Sequence, residues 1–324
     1  MIITRTPYRI SLFGGGTDYP QWYTDNIGAV LSFSIDKFCF ISLRELPPFF
    51  DHKYRISYSK IELANKINEI AHPAVREAVK IYAPELSLEI QHHGDLPASS
   101  GVGSSSAFAV GLIKALTELT DQGMSNFDIA KSAIDLEQRI LKENVGSQDQ
   151  IACAMGGLNL IEFGPNQELK SSPLVISSNY ISKIESSMVL IYSGISRNSS
   201  KISESFVENI STISDLLNKS KLLAYECKQI FESEGNLEYI GDMLREAWDL
   251  KQKMNPKSII PALSELFTKA FKCGAIGGKV LGAGGGGFCL FWVDPNNRDL
   301  FIEGMKPSVY VPFRISYPGS TRIL

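Results

Sequence analysis

The sequence predicts a two-domain α+β protein, and three observations carry that reading. The chain has 324 residues, about twice the usual length of one domain. Runs rich in β-branched and aromatic residues alternate with helix-length amphipathic runs. One polar segment, GPNQELKSSPLVISSNY at 164–180, separates two halves and sets expected domains of 1–180 and 181–324.

The elements follow in order. The first 60 residues read as strands in ITRTPYRISLF, VLSFSIDKFCFISLREL and YRISYS. Residues 61–82 read as a helix and 86–92 (LSLEIQH) as a strand. The run 107–119 (AFAVGLIKALTEL) is apolar on nearly all sides, the pattern of a buried helix. An amphipathic helix is expected at 127–143, with Asn126 as its N-cap. Past the boundary, SMVLIYSG reads as a strand, and 201–232, 235–253 and 258–273 as three helices, with Trp248, Leu250 and Met254 in the core. FCLFWV (288–293) is a strand, NRDLFIEGM has helix length, and a last strand lies near VYVPFRISY.

A hydrophobic fraction of 44% supports a large core and excludes disordered, collagen-like and coiled-coil classes. Thirty-two basic against 35 acidic residues give a net charge of -3, which speaks against nucleic acid or an anionic membrane as partner. The five cysteines are scattered, odd in number and without a CxxC pair. A disulfide framework or zinc site is therefore not expected, and a reducing compartment is. The start, MIITRTPYRISLF, alternates like a strand and lacks the regions of a signal peptide, and no apolar run reaches 18 residues. The expectation is a soluble, cytoplasmic protein.

Half of the 26 glycines fall in three short clusters, at 14–16, at 101 and 103, and at 274–287. Such clustering marks tight turns or close approach to a ligand. The strongest constellation is PASSGVGSSSA (97–107), between a strand and a helix. Pro97, Ser99, Ser100, Gly101, Val102, Gly103, Ser104, Ser105 and Ser106 form a loop of small residues at a helix N-terminus. There the free N–H groups can hold a phosphate and a Ser hydroxyl can hold Mg²⁺. A merely capped helix would need one Ser. The loop is no Walker A motif: at the nearest approach, Gly278-Lys279, Cys273 replaces the first Gly and Val280 the Ser or Thr.

GAGGGG (282–287) matches the dinucleotide pattern GxGxxG, but a helix and short connector are expected before it and a strand after it, so that reading fails. A backbone packed against another domain or a bound substrate, or a tight connector, remain. Gly14-Gly15-Gly16-Thr17-Asp18-Tyr19 follows a strand; Asp18 could accept from sugar hydroxyls or simply form a turn. Glu137 lies in an apolar stripe with Ala133, Ile134, Ile140 and Leu141, where a carboxylate needs a partner or metal. Asp149 precedes the small apolar run IACAMGG and could cap it; near a phosphate loop, such a carboxylate pair could instead divide metal binding and base catalysis. The adjacent His92 and His93 face opposite ways on a strand and read as structural.

RTPYRISLFGGGTDYP, PASSGVGSSSA and LGAGGGGF together, in this order over nearly the whole chain, resemble the three motifs of the GHMP kinases. FGGGTDYP, ENVGSQDQ followed by AMGGLNLIEF, YSGISRNSS and GAIGGKVLGAGGGGF look most like the D-glycero-D-manno-heptose 7-phosphate kinases of that superfamily. The resemblance implies a ribosomal protein S5 domain 2-like amino-terminal domain and a ferredoxin-like carboxy-terminal domain, with ATP on the 97–107 loop. Arg9 and Asp149 match the pair flanking the reacting hydroxyl, and the Mg²⁺ ligands would fall on Ser105 and Glu137. Sugar contacts would come from Gly15, Gly16, Thr17 and Asp18 and from Gly284, Gly285 and Gly286. Galactokinases carry Gly-Glu-His-Thr-Asp where this chain has Gly-Gly-Gly-Thr-Asp, and many heptokinases carry Lys where this chain has Ser147.

The resulting expectation is a Mg²⁺-ATP kinase acting on the anomeric hydroxyl of a heptose 7-phosphate. Arg197, among Ser196, Ser199 and Ser200, is expected to hold the sugar's phosphate, with Lys251 and Lys279 as weaker candidates. The partner is a small-molecule sugar phosphate, and a homodimer is allowed. The alternatives are another sugar 1-kinase, of fucose or hexose type, and a non-catalytic sugar or nucleotide sensor.

Overall fold

The computed structural model describes residues 1–195, 199–258 and 260–324. In chain order it begins with β1 (Ile2–Phe13), α1 (Pro20–Tyr23), β2 (Gly28–Glu45), β3 (Tyr54–Ser57), β4 (Ile61–Ala64), α2 (Pro73–Tyr82) and β5 (Leu88–Gly94). Three helices follow, α3 (Ser104–Leu119), α4 (Asn126–Asp135) and α5 (Gln148–Met155), then the antiparallel pair β6 (Leu158–Gly164) and β7 (Glu168–Pro173). The remainder is α6 (Ser178–Ser187), β8 (Met188–Tyr192), α7 (Ser199–Glu208), α8 (Ser214–Glu232), α9 (Glu238–Met254), α10 (Pro261–Lys272), β9 (Ala275–Val280), β10 (Phe288–Val293), α11 (Arg298–Gly304), β11 (Val309–Val311) and β12 (Thr321–Arg322).

Eight strands form the first sheet, in the order β12-β1-β2-β5-β3-β4, with β6 also on β2 and β7 on β6. The 18 residues of β2 allow this branching: Gly28–Phe33 pairs with β6, and Cys39–Glu45 with β5. The second sheet is antiparallel, β11-β8-β10-β9. Counted within that half, the order is 4-1-3-2 with helices in both crossovers, the ferredoxin-like arrangement. The chain then returns to the first sheet, through a bridge from Ile315 to Ile35 and the pairing of β12 with β1.

The main core lies between the first sheet and α3, α4, α5, α8 and α9, with Ile10, Phe33, Ile113, Leu116, Leu217 and Leu244 fully buried. A second core, under the second sheet, joins Val189, Leu263, Phe267, Phe291 and Phe301. Trp248 stacks on Phe267 there, ring centroids 5.1 Å apart. Register breaks in the β1–β2 pairing fall between Pro7 and Arg9 and between Ser11 and Phe13. Irregularities of this kind re-aim side chains at functional sites.

Several element expectations need correction. The helix expected over 61–82 is a short edge strand, β4, then a 3-10 turn at Ile67–Glu69, and only then α2. Pro73 accounts for this: it suits a first helical turn and cannot sit inside a helix. The cap of α4 is Ser125, whose Oγ accepts from Asp128 N, while Asn126 donates to Ala154 O. That helix also stops at Asp135 and continues to Ile140 as a π-helical turn. The helix expected over 201–232 breaks at Asn209 into α7 and α8, joined by a 3-10 turn. The 164–180 segment is not a plain linker: it contains the strand β7 and the start of α6. A strand, β9, directly precedes the GAGGGG run at 282–287, which is therefore the turn between two antiparallel strands.

Candidate active site

A cleft between the two halves is lined by residues from all three glycine clusters. Its floor is built on the loop before α3. Gly103 adopts φ +76 at the N-cap position, and no side chain caps the helix. Ser104 Oγ accepts from Ser99 N at 3.2 Å, closing the loop on itself. The uncapped first turn of a 16-residue helix leaves N–H groups and a partial positive charge for an anion.

The third glycine cluster is needed because two backbones touch. Phe288 N donates to Ser100 O at 2.9 Å. A Cβ on Gly101 would lie 2.6 Å from Leu281 O, and one on Gly287 would lie 2.3 Å from Ser100 O. The turn from the C-terminal half thus braces the loop of the N-terminal half.

Arg9 and Asp149, 140 residues apart, form a two-pronged ion pair, with Nε to Oδ1 at 2.7 Å and Nη2 to Oδ2 at 2.5 Å. The third arm, Nη1, donates to Gly101 O at 2.6 Å. Arg9 is 3% exposed, so its fork is fixed and fixes both partners. Asp149 lies in the first turn of α5, where the helix dipole favours a carboxylate. Asp18 supports the same segment from the first cluster. Its Oδ1 accepts from Gly16 N (3.0 Å), its Oδ2 from Gln148 N (3.4 Å), and its main-chain O from Ser147 N (2.8 Å). Gly146 leaves room for that carboxylate: a Cβ there would lie 1.8 Å from Asp18 Oδ2 and would displace it.

Glu137 stands on the π-helical turn and is 1% exposed. Its carboxyl accepts from Ser105 Oγ (3.1 Å), Ser106 Oγ (2.9 Å) and Gln150 Nε2 (2.5 Å), all neutral donors. Burial pushes it up to about 7, and burial with repulsion from Asp149 pushes Asp18 up to about 6. The folded protein therefore binds protons that the unfolded chain has already released above about pH 4. Stability from these groups is full below their unfolded pKa values and is lost as pH rises through about 6 and about 7. Denaturant midpoints of the free protein should fall as pH rises from about 4.5 to about 7, Glu137 contributing on the order of 3 kcal/mol. Glu137→Gln should flatten the decline between about pH 5 and 7; an unchanged slope there would mean that the carboxyl is already ionised near pH 5.

The structure brings together in the cleft lining Arg9, Gly15, Gly16, Asp18, Ser99, Gly101, Gly103, Ser104, Ser105, Ser106, Asp149, Gly284 and Gly286. Six others lie outside that lining: Glu137, buried against Ser105 and Ser106, and Pro97, Ser100, Val102, Thr17 and Gly285. Pro97 O accepts from Ser100 Oγ, Val102 O accepts from Arg9 N, Thr17 Oγ1 ties Gly14 to Ala29, and Gly285 N donates to Ser258 O. Arg197 and Ser196 lie outside the described residues. Ser147 is buried away from the cleft lining, bonded to Tyr23 Oη (3.0 Å) and Gln138 Nε2 (2.9 Å). The adjacent histidines do not converge, and His92 meets Phe108 edge-on at 5.2 Å.

Sequence reasoning missed Gln148 and Phe206, and it ranked Lys251 and Lys279 low, although all four line the cleft. Only Gln148 carried a signal, as the neighbour of Asp149. Among the described residues no helix is long and apolar enough to cross a membrane.

Residues 65–157 match the GHMP kinases N terminal domain and 223–311 the GHMP kinases C terminal domain. The chain belongs to the GHMP kinase family. It is an ATP-dependent kinase on the fold that the sequence resemblance implied. It is 30% identical, over 94% of its length and 93% of the relative's, to D-glycero-alpha-D-manno-heptose 7-phosphate kinase of Campylobacter jejuni. It is 27% identical to the bifunctional fucokinase/GDP-fucose pyrophosphorylase of Arabidopsis thaliana, over 88% of this chain but 29% of that longer protein. Two crystal structures share the fold. That of a D-glycero-D-manno-heptose 1-phosphate kinase from Bacteroides thetaiotaomicron has a TM-score of 0.83 at 24% identity, covering 100% of this chain and 99% of that one. Lactococcus lactis galactokinase complexed with galactose has a TM-score of 0.73 at 19% identity, covering 99% and 94%.

Proposed function

We propose that this GHMP kinase phosphorylates the anomeric hydroxyl of D-glycero-D-manno-heptose 7-phosphate, giving heptose 1,7-bisphosphate. The observation that carries the chemistry is the Arg9–Asp149 pair, held against Gly101 of the nucleotide loop at 2.5–2.7 Å. The substrate class rests on the full-length likeness to the Campylobacter jejuni heptose 7-phosphate kinase.

In this reading the N–H groups at the start of α3 receive the ATP phosphates, and Asp149 orients the anomeric hydroxyl and takes its proton. That hydroxyl is more acidic than an ordinary alcohol, so a carboxylate base suffices. Arg9 keeps the carboxylate aimed and faces the phosphoryl oxygens. Asp18 keeps the Gly146–Asp149 segment in place and offers its free lone pairs to a sugar hydroxyl.

The residues present fit Mg²⁺. Glu137 is a buried carboxyl whose hydrogen-bond donors are all neutral, and the exposed Ser105 hydroxyl lies 3.1 Å from it. A hard divalent cation with few protein ligands and substrate phosphates suits such an oxygen pair. Ser105 and Glu137 would hold it, and it would neutralise charge on the ATP phosphates.

A panel of sugars and sugar phosphates, with products identified by phosphorus NMR, tests the reading. Heptose 7-phosphate should give a new anomeric phosphate signal and the highest kcat/KM, by about tenfold or more over heptose. Equal turnover of heptose and its 7-phosphate would reject the phosphate requirement in favour of a fucose- or hexose-type sugar 1-kinase. ATP binding without transfer to any sugar would reject the enzyme in favour of a sensor.

A further inference from the structure

The nucleotide loop, Pro97 to Ala107, contains neither lysine nor arginine. The C-terminal half brings two lysines to it. Lys251 stands on α9 and Lys279 on β9, and both line the cleft. Lys251 Nζ donates to Val280 O (2.8 Å) and Gly282 O (2.5 Å). Gly282 is in turn pressed on the loop, since a Cβ there would lie 2.6 Å from Gly101 Cα. Lys279, 7% exposed, donates to Leu12 O at 2.8 Å. Only carbonyl oxygens accept from these two ammonium groups among the described residues. The two carboxylates bordering the same cleft are engaged elsewhere, Asp149 by Arg9 and Asp18 by main-chain N–H groups.

An ammonium group withdrawn from water and offered only dipoles is costly. Burial lowers the pKa of both, Lys279 to about 7 and Lys251 well below its usual range, and Lys279 and Arg9 also repel Lys251. Three cations around one cleft, with a single ion-paired carboxylate among them, form a cluster that an anionic ligand would complete. Its position is also informative. Arg9 touches Gly101 O from one side, and the turn held by Lys251 touches Gly101 from the other.

We propose that Lys251 and Lys279 form a phosphate subsite, lent to the nucleotide loop by the opposite half of the molecule, that receives the terminal phosphate oxygens of ATP. The two lysines supply across the cleft the positive charge that the loop lacks. A second source of the same chemistry is a phosphate on the acceptor sugar, and the test separates the two. The inference does not depend on which sugar is the acceptor.

The full-length protein is treated with pyridoxal 5′-phosphate and borohydride, and modification of each lysine is quantified by mass spectrometry, alone, with ATP, and with heptose 7-phosphate. ATP should reduce labelling of Lys251 and Lys279 by about tenfold or more and leave Lys170, 73% exposed, unchanged. Protection by the sugar phosphate and not by ATP would overturn the assignment to ATP and give the subsite to the acceptor. Labelling equal under all three conditions would overturn the subsite. In parallel, Lys251→Met and Lys279→Met, which keep side-chain volume, should each weaken ATP binding in calorimetry by about tenfold or more. ATP affinity within twofold of the parent, in variants with unchanged melting temperature, would leave both lysines as structural and sink the proposal.

Discussion

Asp149→Asn is expected to lower kcat by about 10²–10⁴-fold while leaving ATP affinity nearly intact, the range for loss of a general base. The substitution keeps the side chain's size and its place in the first turn of α5. It removes the negative charge and the proton acceptor, and it leaves the buried Arg9 fork without its counter-charge. The second effect has its own signature. Unpairing a buried cation destabilises by about 3–5 kcal/mol, so the melting temperature should fall as well. Single-turnover measurements at saturating ATP on the folded fraction separate the two losses. A variant that retains more than about a tenth of kcat, a change of roughly 1.4 kcal/mol in the barrier, would return Asp149 to a purely structural role in holding Arg9.

What the sequence disclosed about this site followed how local the physics is. The strand, small-residue loop and buried helix around 97–107 were legible because they are contiguous, and the structure puts Gly103, not a Ser, at the N-cap. The pairing of Arg9 with Asp149 was not legible from spacing at all. It spans 140 residues and depends on α5 packing beside β1, so only the family resemblance pointed to it. The two lysines were ranked low for the same reason, since nothing local to Lys251 shows that α9 crosses behind the glycine turn.

The misread elements have local causes. Ile61 and Leu63 gave residues 61–82 an apolar periodicity, yet both are more than half exposed on the edge strand β4, and Pro73 ends any helix entering from upstream. The break at Asn209 sits in a run of Asn, Ser, Thr and Ile, residues that bond their own backbone or lose rotamer freedom in a helix. The break has a consequence at the site. Phe206 on α7 and Leu217 on α8 both close over Gly16, where a Cβ would lie 3.0 and 3.1 Å from them.

Gly101→Ala is the second substitution with a large expected effect, because one methyl group falls between two backbones. Gly101 adopts φ +86, and its Cβ would lie 2.6 Å from Leu281 O and 2.9 Å from Leu281 C. Neither is the end of a flexible side chain, so the loop or the glycine turn has to move. Movement would break the Phe288 N to Ser100 O bond and the Arg9 bond to Gly101 O, and would displace the start of α3, which we propose receives the ATP phosphates. ATP affinity should therefore weaken on the order of 100-fold, beyond the roughly 1–3 kcal/mol that backbone strain alone costs in stability. Gly123→Ala provides the control: Gly123 has φ +61 with nothing within 4 Å, so it carries the dihedral strain without the collision. If calorimetry finds the same ATP affinity in both variants, with matched melting temperatures, the contact between the loop and the turn does not govern nucleotide binding.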